Sequence, residues 1–249
     1  MSKPADSTTG GILTSVNSSL ERLSANSFHG AKLETMVMLP SFVLPLLPAT
    51  GLTWKQQILK MKQMAGFISL VREREPGRVY PDASCGQPRI AYTMSKFDRG
   101  HCLEGLVALA KICYVMGAKE IHTILDDMPV FMRDESAPTS EGDGVNDAAF
   151  QAWIKKLRDV GLNGSSASFA SAHQMGSCRM GVSEKTSVVD SKGKVWGIEG
   201  LYVADASVFP SASGVNPMVT NMGISDWISR GISKDLKREE VGVEEEARL

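Results

Sequence analysis

The sequence predicts an α+β fold. Amphipathic helical patterns recur at residues 53–72, 98–116, 146–160 and 218–232, and short strand-like runs stand between them at 28–38, 88–94 and 119–125. They do not alternate as regular βαβ units, which argues against a doubly wound sheet. No internal repeat or low-complexity array occurs. At 249 residues, with 43% apolar and 22% charged residues, the chain can bury a core in one domain or two. With a net charge of −1, nothing suggests a nucleic-acid partner, and none is expected.

The elements follow in order. Residues 1–27 are rich in Ser, Thr, Asn and Gly and read as irregular, with one strand-like piece, Ile12–Val16. Phe28–Met38 alternates enough for a strand. The apolar run Met36–Leu52 is broken by Pro40, Pro45 and Pro48. It is too short and interrupted to span a bilayer and reads as an ordered loop, with partial membrane contact left open. Thr53 caps a helix to Arg72, with Trp54, Ile58, Met61, Ala65 and Ile68 along one face. Glu73–Gln87 is a charged connection, and Pro88–Met94 a strand.

Asp98 starts the next helix, which runs to about Met116. It buries Leu103, Leu106, Val107, Ala110 and Cys113, and Gly117 ends it. Lys119–Leu125 reads as a strand and Asp126–Gly144 as an acidic loop. Asn146–Val160 is a helix with Phe150, Trp153, Ile154 and Leu157 inward and Gly161 closing it.

Cys85, Cys102, Cys113 and Cys178 lack CxxC spacing. They read as reduced thiols of an intracellular protein, with no metal site expected. Residues 1–25 have no uninterrupted apolar core, so no signal peptide is expected. Ala247-Arg248-Leu249 follows the small–basic–leucine pattern of a peroxisomal address, at the end of a charged tail read as solvated.

The chemistry concentrates in Ser171–Thr220. Of four histidines, His29 and His122 lie in strand-like runs and His101 in a charged turn, as surface or core residues do. His173 stands among Ser171, Gly176, Ser177 and Cys178, a small-residue loop that a ligand can approach closely. It is either a general base or an ordinary loop residue. Leu201–Ala204 reads as a buried strand. The Asp205 that follows either faces a ligand crevice or starts a turn. Asn216-Pro217 opens a helix, Met218–Ile232, with Ile224, Ile228 and Ile232 on one side. Its start is either a plain cap or a donor set for an anion, and Gly214 leaves room for something bulky against the turn.

Together these blocks resemble the C-terminal signature of the glucose–methanol–choline oxidoreductases, which are FAD-dependent alcohol oxidases and dehydrogenases. The blocks are His173, Gly176-Ser-Cys-Arg-Met-Gly181, Val188-Val-Asp190, Gly200-Leu-Tyr-Val-Ala-Asp-Ala-Ser207 and Asn216-Pro217. The wording of the first block and of Gly214-Val-Asn-Pro-Met218 is most similar to the long-chain fatty alcohol oxidase branch. Weaker pieces extend the resemblance over most of residues 10–233: Gly10-Gly-Ile-Leu-Thr-Ser-Val16, His29-Gly-Ala-Lys-Leu-Glu34, Val71-Arg-Glu-Arg74 and Ser95-Lys-Phe-Asp-Arg99.

The resemblance implies a substrate-binding domain at 28–165, an antiparallel sheet with helices. Residues 166–233 would complete the FAD-binding domain, between the irregular piece 1–27 and the charged tail 234–249. It implies oxidation of a long-chain primary alcohol to the aldehyde, with hydride passing to flavin N5 and O2 reduced to hydrogen peroxide. His173 would take the hydroxyl proton and Asn216 would donate a hydrogen bond to the same oxygen. The backbone at Asn216, Pro217 and Met218, with the helix dipole behind it, would stabilise the reduced ring, Pro217 lacking an amide. Asp205 and Ala206 would contact the ribityl–phosphate part of FAD.

No Gly-x-Gly-x-x-Gly follows a strand; Gly142-Asp-Gly144 is nearest and fails at the third glycine. The expectation is therefore a C-terminal part whose partner is the missing N-terminal FAD-binding half. Alone it would expose apolar surface in Ser171–Ile232. The alternative is an inactive fragment that binds or regulates an intact oxidase. No Gly-x-Ser-x-Gly elbow supports a hydrolase. A quinone acceptor in place of O2, and any alcohol chain length, stay open. Thirteen methionines suit a surface that receives an alkyl chain or simply fill the core.

Overall fold

The computed structural model describes residues 15–21, 28–47, 49–134, 146–163 and 169–246, with side chains through Lys237. The Gly10–Thr14 part of the first motif, Gly142–Gly144 and Ala247–Leu249 lie outside the described residues. So does most of the Ile12–Val16 strand. The fold is α+β, as the sequence predicts: five α-helices and three small antiparallel sheets among the described residues. It divides into two compact units, one drawn from Met1–Arg72 and Met94–Ala170, the other from Glu73–Thr93 and Ser171–Leu249. The sequence reading takes 28–165 as one continuous domain, whereas this division sets 73–93 with the C-terminal segment.

In the first unit a three-stranded sheet is ordered β1 (Val16–Asn17), β2 (Lys32–Thr35), β3 (Phe67–Leu70), with Leu33 opposite both Asn17 and Ser69. The strand expected over Phe28–Met38 is confined to β2. The predicted helix 53–72 is corrected. Helix α2 (Gly51–Leu59) is followed by a 3₁₀ turn at Met61–Gln63, and its predicted last turns are strand β3. The apolar spacing of Met61, Ala65 and Ile68 fits a helix, but Phe67–Leu70 finds backbone partners along all of β2, and a ladder outweighs a local period. Thr50, not Thr53, stands at the N-cap, with no side-chain bond. The proline-broken stretch before it holds a short helix, α1 (Pro40–Val43), and a 3₁₀ turn at Leu44–Leu46.

Helix α3 (Lys96–Val115) lies against the sheet. Its cap is Ser95 rather than Asp98. Ser95 Oγ accepts from the Asp98 amide at 3.0 Å and donates to Asp98 Oδ2 at 2.7 Å. A Cβ at Gly105 would run into Ser69 Oγ and approach Ala31 Cβ to 2.7 Å, so glycine allows this close approach. The buried face is Cys102, Gly105, Val107, Leu109, Ala110 and Tyr114, with Leu103, Leu106 and Cys113 only partly buried. The stripe is thus rotated from the predicted one. Gly117 ends the helix as expected: at φ 84° it donates to Tyr114 O at 3.0 Å while Ala118 donates to Cys113 O at 2.9 Å. The strand expected over Lys119–Leu125 shrinks to β6 (Glu120–Ile121), which pairs with β7 (Phe131–Met132) inside the predicted loop.

Helix α4 (Ala148–Val160) buries all four predicted residues, with Phe150 and Leu157 fully covered. The Tyr114 and Phe150 rings stack at 4.2 Å, and Phe131 meets Phe150 edge-on at 5.2 Å. Asp147 caps the helix, accepting from the Phe150 amide at 2.9 Å and from the Tyr114 hydroxyl at 2.6 Å. The Tyr114 hydrogen bond, then the Phe150 amide, holds its carboxyl below the usual range.

In the second unit, β4 (Arg78–Pro81) and β5 (Pro88–Ala91) form a hairpin where a plain connection is expected over Glu73–Gln87. Asp82 builds its turn by accepting from Ser84 N at 2.8 Å, Ser84 Oγ at 2.5 Å and Arg89 Nε at 2.6 Å. Helix α5 (Met218–Glu246) runs well past Ile232, through much of the tail that the charge pattern reads as solvated.

Two measurements follow. Phe150→Ala removes the ring shared by Tyr114, Phe131 and Trp153, so urea unfolding is expected to show a loss of about 3–5 kcal/mol. Because the folded Asp147 carboxyl titrates below its unfolded value, its contribution is present above about pH 4 and is lost as pH falls through the depressed value. Asp147→Asn is expected to flatten that acid-side loss in denaturation midpoints taken at successive pH values.

Candidate active site

The site-bearing segment holds few regular elements. Its polar backbone is satisfied by turn and bridge hydrogen bonds instead. Gly176, Cys178 and Met180 donate to Ala206 O, Ser207 O and Val208 O at 3.2, 2.8 and 2.8 Å. These three bonds clip the His173 loop to a 3₁₀ turn, Ala206–Val208. Gly176 has φ 83°, and a Cβ there would sit 3.1 Å from Phe209 O. The clip joins two sequence blocks separated by the intervening loop.

That intervening loop is also anchored. Asp190 Oδ1 accepts from Lys192 N at 2.8 Å and Lys194 N at 3.0 Å, while Asp190 N donates to Lys194 O at 2.9 Å. Val203 N donates to Gly193 O at 2.9 Å. The strand predicted at Leu201–Ala204 is therefore only a bridge, Lys194 opposite Tyr202, and Leu201 is exposed. Its neighbour is a tight turn rather than a second strand, so no ladder extends. Asp205 accordingly starts a turn: Oδ1 accepts from Ser207 N at 2.8 Å. Hydrogen bonds from Ser207, side chain first and then amide, hold the Asp205 carboxyl below the usual range.

Beneath this loop Val189, Val208, Phe209 and Ile228 form a small core, with Ile224 and Ile232 packed against it. The predicted apolar side of α5 is thus the buried one. Ser225, on that side, donates to Ala204 O at 2.6 Å and links α5 to the Leu201–Ser207 block. Sequence reasoning passes over Ser225, whose only signal is a hydroxyl beside Ile224 on an apolar face. Pro217 O accepts the first α-helical bond, from Asn221 N at 2.7 Å, so Pro217 holds the cap position and Asn216 precedes it.

The other three histidines have local partners. His29 Nδ1 lies 3.2 Å from Arg72 O, and His122 Nε2 lies 3.1 Å from Glu120 Oε2. His101, within α3 rather than a turn, packs edge-on against Phe97 with ring centroids 4.6 Å apart. His173 is half-buried in the segment that leads into the clip, and Asn216 is exposed ahead of α5. No hydrogen bond joins the two among the described residues.

At the head of α5 the amides of Met218, Val219 and Thr220 precede the first intrahelical donor, which is how helix starts present free N–H groups. Met218, Val219 and Met222 are 69, 76 and 64% exposed beside them. Donors at the positive end of a dipole, flanked by apolar surface, fit a flat ring with an anionic edge, such as the flavin of FAD. Asp205, an acceptor held ionised, fits ribityl hydroxyls rather than phosphate. All four cysteines are free. Among the described residues no group of three or more His, Cys, Asp or Glu could hold a metal. None of their helices is long and apolar enough to cross a membrane.

Residues 66–225 match the GMC oxidoreductase family, and the chain belongs to it. Within that family it is similar to proteins of Arabidopsis thaliana. It is 35% identical over 232 residues to long-chain-alcohol oxidase FAO3, covering 91% of this chain and 29% of that protein. It is 31% identical over 230 residues to long-chain-alcohol oxidase FAO4A, with 92 and 30% coverage. With long-chain-alcohol oxidase FAO1 it shares 30% identity over 211 residues, with 83 and 26% coverage. The chain thus spans about three-tenths of the length of these relatives.

Gly193, at φ 77°, tests the packing of the segment. A Cβ there would meet Val203 O at 2.7 Å and Ile228 Cδ1 at 2.8 Å, whereas one at Gly197, φ 72°, meets nothing. Both alanine substitutions incur left-handed strain of about 1–2 kcal/mol. Gly193→Ala is expected to lose about 1–3 kcal/mol more through overpacking, read from denaturation or protease susceptibility.

Proposed function

We propose that this chain is the site-bearing C-terminal part of an FAD-dependent oxidase that converts long-chain primary alcohols to aldehydes and reduces O2 to hydrogen peroxide. The observation that carries this reading is the hydrogen-bonded clip between the His173 loop and the Ala206–Val208 turn, over the core that also seats α5. FAD, when bound, supplies the hydride acceptor. His173 accepts the proton of the substrate hydroxyl, and Asn216 donates to the same oxygen and orients it. The amides at Met218 and Val219, with Pro217 shaping the turn, favour negative charge at the ring edge. Asp205 accepts from ribityl hydroxyls, and Ala206 lines that part of the cofactor.

The similarity to the Arabidopsis long-chain-alcohol oxidases supports this substrate class. The sequence holds no dinucleotide fingerprint to cradle the pyrophosphate. A flavin-bearing N-terminal half is therefore the partner this reading requires. The same observation favours a second reading, an inactive chain that binds or regulates an intact oxidase. Ala247-Arg248-Leu249 supports peroxisomal delivery, and deleting Leu249 is expected to abolish import of a tagged chain.

The test is peroxide formation from long-chain alcohols by the chain loaded with FAD, alone or with its flavin-bearing partner. His173→Ala is expected to lower turnover by about 10²-fold or more while the flavin absorbance is retained. Near-normal turnover would refute the assignment of His173. A chain that co-purifies with an active flavoprotein, whose turnover ignores His173→Ala, would establish the second reading.

A further inference from the structure

Along its buried side α5 lays Ile224, Ile228 and Ile232 over the small core of Val189, Val208 and Phe209. Half-buried Ser225 interrupts that apolar side. A serine within a helix commonly bonds the carbonyl four residues back or turns to solvent. Ser225 instead donates Oγ out of its own helix, to Ala204 O at 2.6 Å. Alanine would be the better helix former at this place and would leave no hydroxyl to desolvate. What the hydroxyl adds is direction. Apolar contact is non-directional, so the isoleucines hold α5 to the core with little control over its shift along its axis or its rotation about it. A hydrogen bond at 2.6 Å constrains both at one point.

The acceptor is itself held in place. Ala204 stands between two anchored residues: Val203 N donates to Gly193 O at 2.9 Å, and Ala206 O accepts from Gly176 N at 3.2 Å. Asp205, the next residue, accepts from Ser207 N at 2.8 Å. Ser225 thus bonds to the frame that also sets the Asp205 turn. On the helix, Ser225 lies seven residues past Met218. The two fall on one side, nearly two turns or about 10 Å apart along the axis.

We infer that Ser225 is a positioning residue for the flavin: it sets where the amides of Met218, Val219 and Thr220 stand relative to the Asp205 turn. The inference rests on the flavin reading of this segment. In that reading the helix start meets the anionic edge of the ring and Asp205 meets ribityl hydroxyls, so the two must be held in register at once. Ser225 touches neither ring nor substrate there. It acts through α5 on one side and through Ala204 on the other.

The test is FAD affinity and the flavin midpoint potential of the chain, with its flavin-bearing partner where binding requires it. Ser225→Ala is expected to weaken FAD binding about fivefold or more, the worth of one hydrogen bond. It is also expected to lower the potential, because the α5 amides then stabilise the reduced ring less. Ser225→Thr, which keeps the hydroxyl, is expected to restore both. Ile232→Val thins the same side of α5 away from Ala204 and is expected to lower the urea midpoint while leaving affinity and potential as they were. Equal flavin effects from Ile232→Val and Ser225→Ala would reduce Ser225 to a packing role and overturn the inference. Failure of Ser225→Thr to restore either readout would overturn it too. So would unchanged affinity and potential in Ser225→Ala, which would leave the flavin reading intact. A wild-type chain that binds no FAD, with or without its partner, would refute the flavin reading and the inference with it.

Discussion

Three backbone hydrogen bonds, from Gly176, Cys178 and Met180 to Ala206, Ser207 and Val208, are the constraint on which the candidate site depends. Each is worth only about 1 kcal/mol net, but each also satisfies groups that would be costly to bury unpaired. They act where no strand ladder is present, so the His173 loop has few substitutes for them. The core they close is equally small. Val189, Val208, Phe209 and Ile228 are its buried members, and a Cβ on Gly193 would already intrude on it. Geometry in this segment is therefore set by a few glycines and short turns rather than by long elements.

The first unit is stabilised differently. Tyr114, Phe131, Phe150 and Trp153 form one aromatic cluster, and Asp147 ties it to a helix start by bonding both the Phe150 amide and the Tyr114 hydroxyl. Arg133 covers the Tyr114 ring from 3.8 Å and donates to its carbonyl. Capping, stacking and burial reinforce one another there, which is how a modest core gains a unique arrangement.

Apolar residues that the local cores do not cover are a property of both units. On α5, Met218, Val219, Met222, Trp227 and Leu236 are more than half exposed, and in the first unit Leu39, Phe42, Leu52 and Leu59 are too. Their sequences differ in charge: residues 35–72 hold no Asp or Glu, though Lys60 pairs with Glu120, whereas α5 carries acids such as Asp226 and Asp235. Within Ser171–Ile232, Met218, Val219, Met222 and Trp227 are the exposed large apolar residues of α5.

Sequence alone determined the fold class, helix α4 with all four of its buried residues, the Gly117 helix stop and the buried side of α5, because each depends on local periodicity or a glycine at positive φ. It also determined the family, because the motif blocks stand in order along the chain. Only the tertiary structure decided that Phe67–Leu70 is a strand, that Leu201–Ala204 is a bridge and that Glu73–Gln87 contributes half of a hairpin. Backbone pairing depends on a distant partner that local spacing does not encode. The clip and the Ser225 link to Ala204 belong to the same class. They join main-chain atoms far apart in sequence, and a main-chain donor carries no side-chain signature by which it could be read in advance.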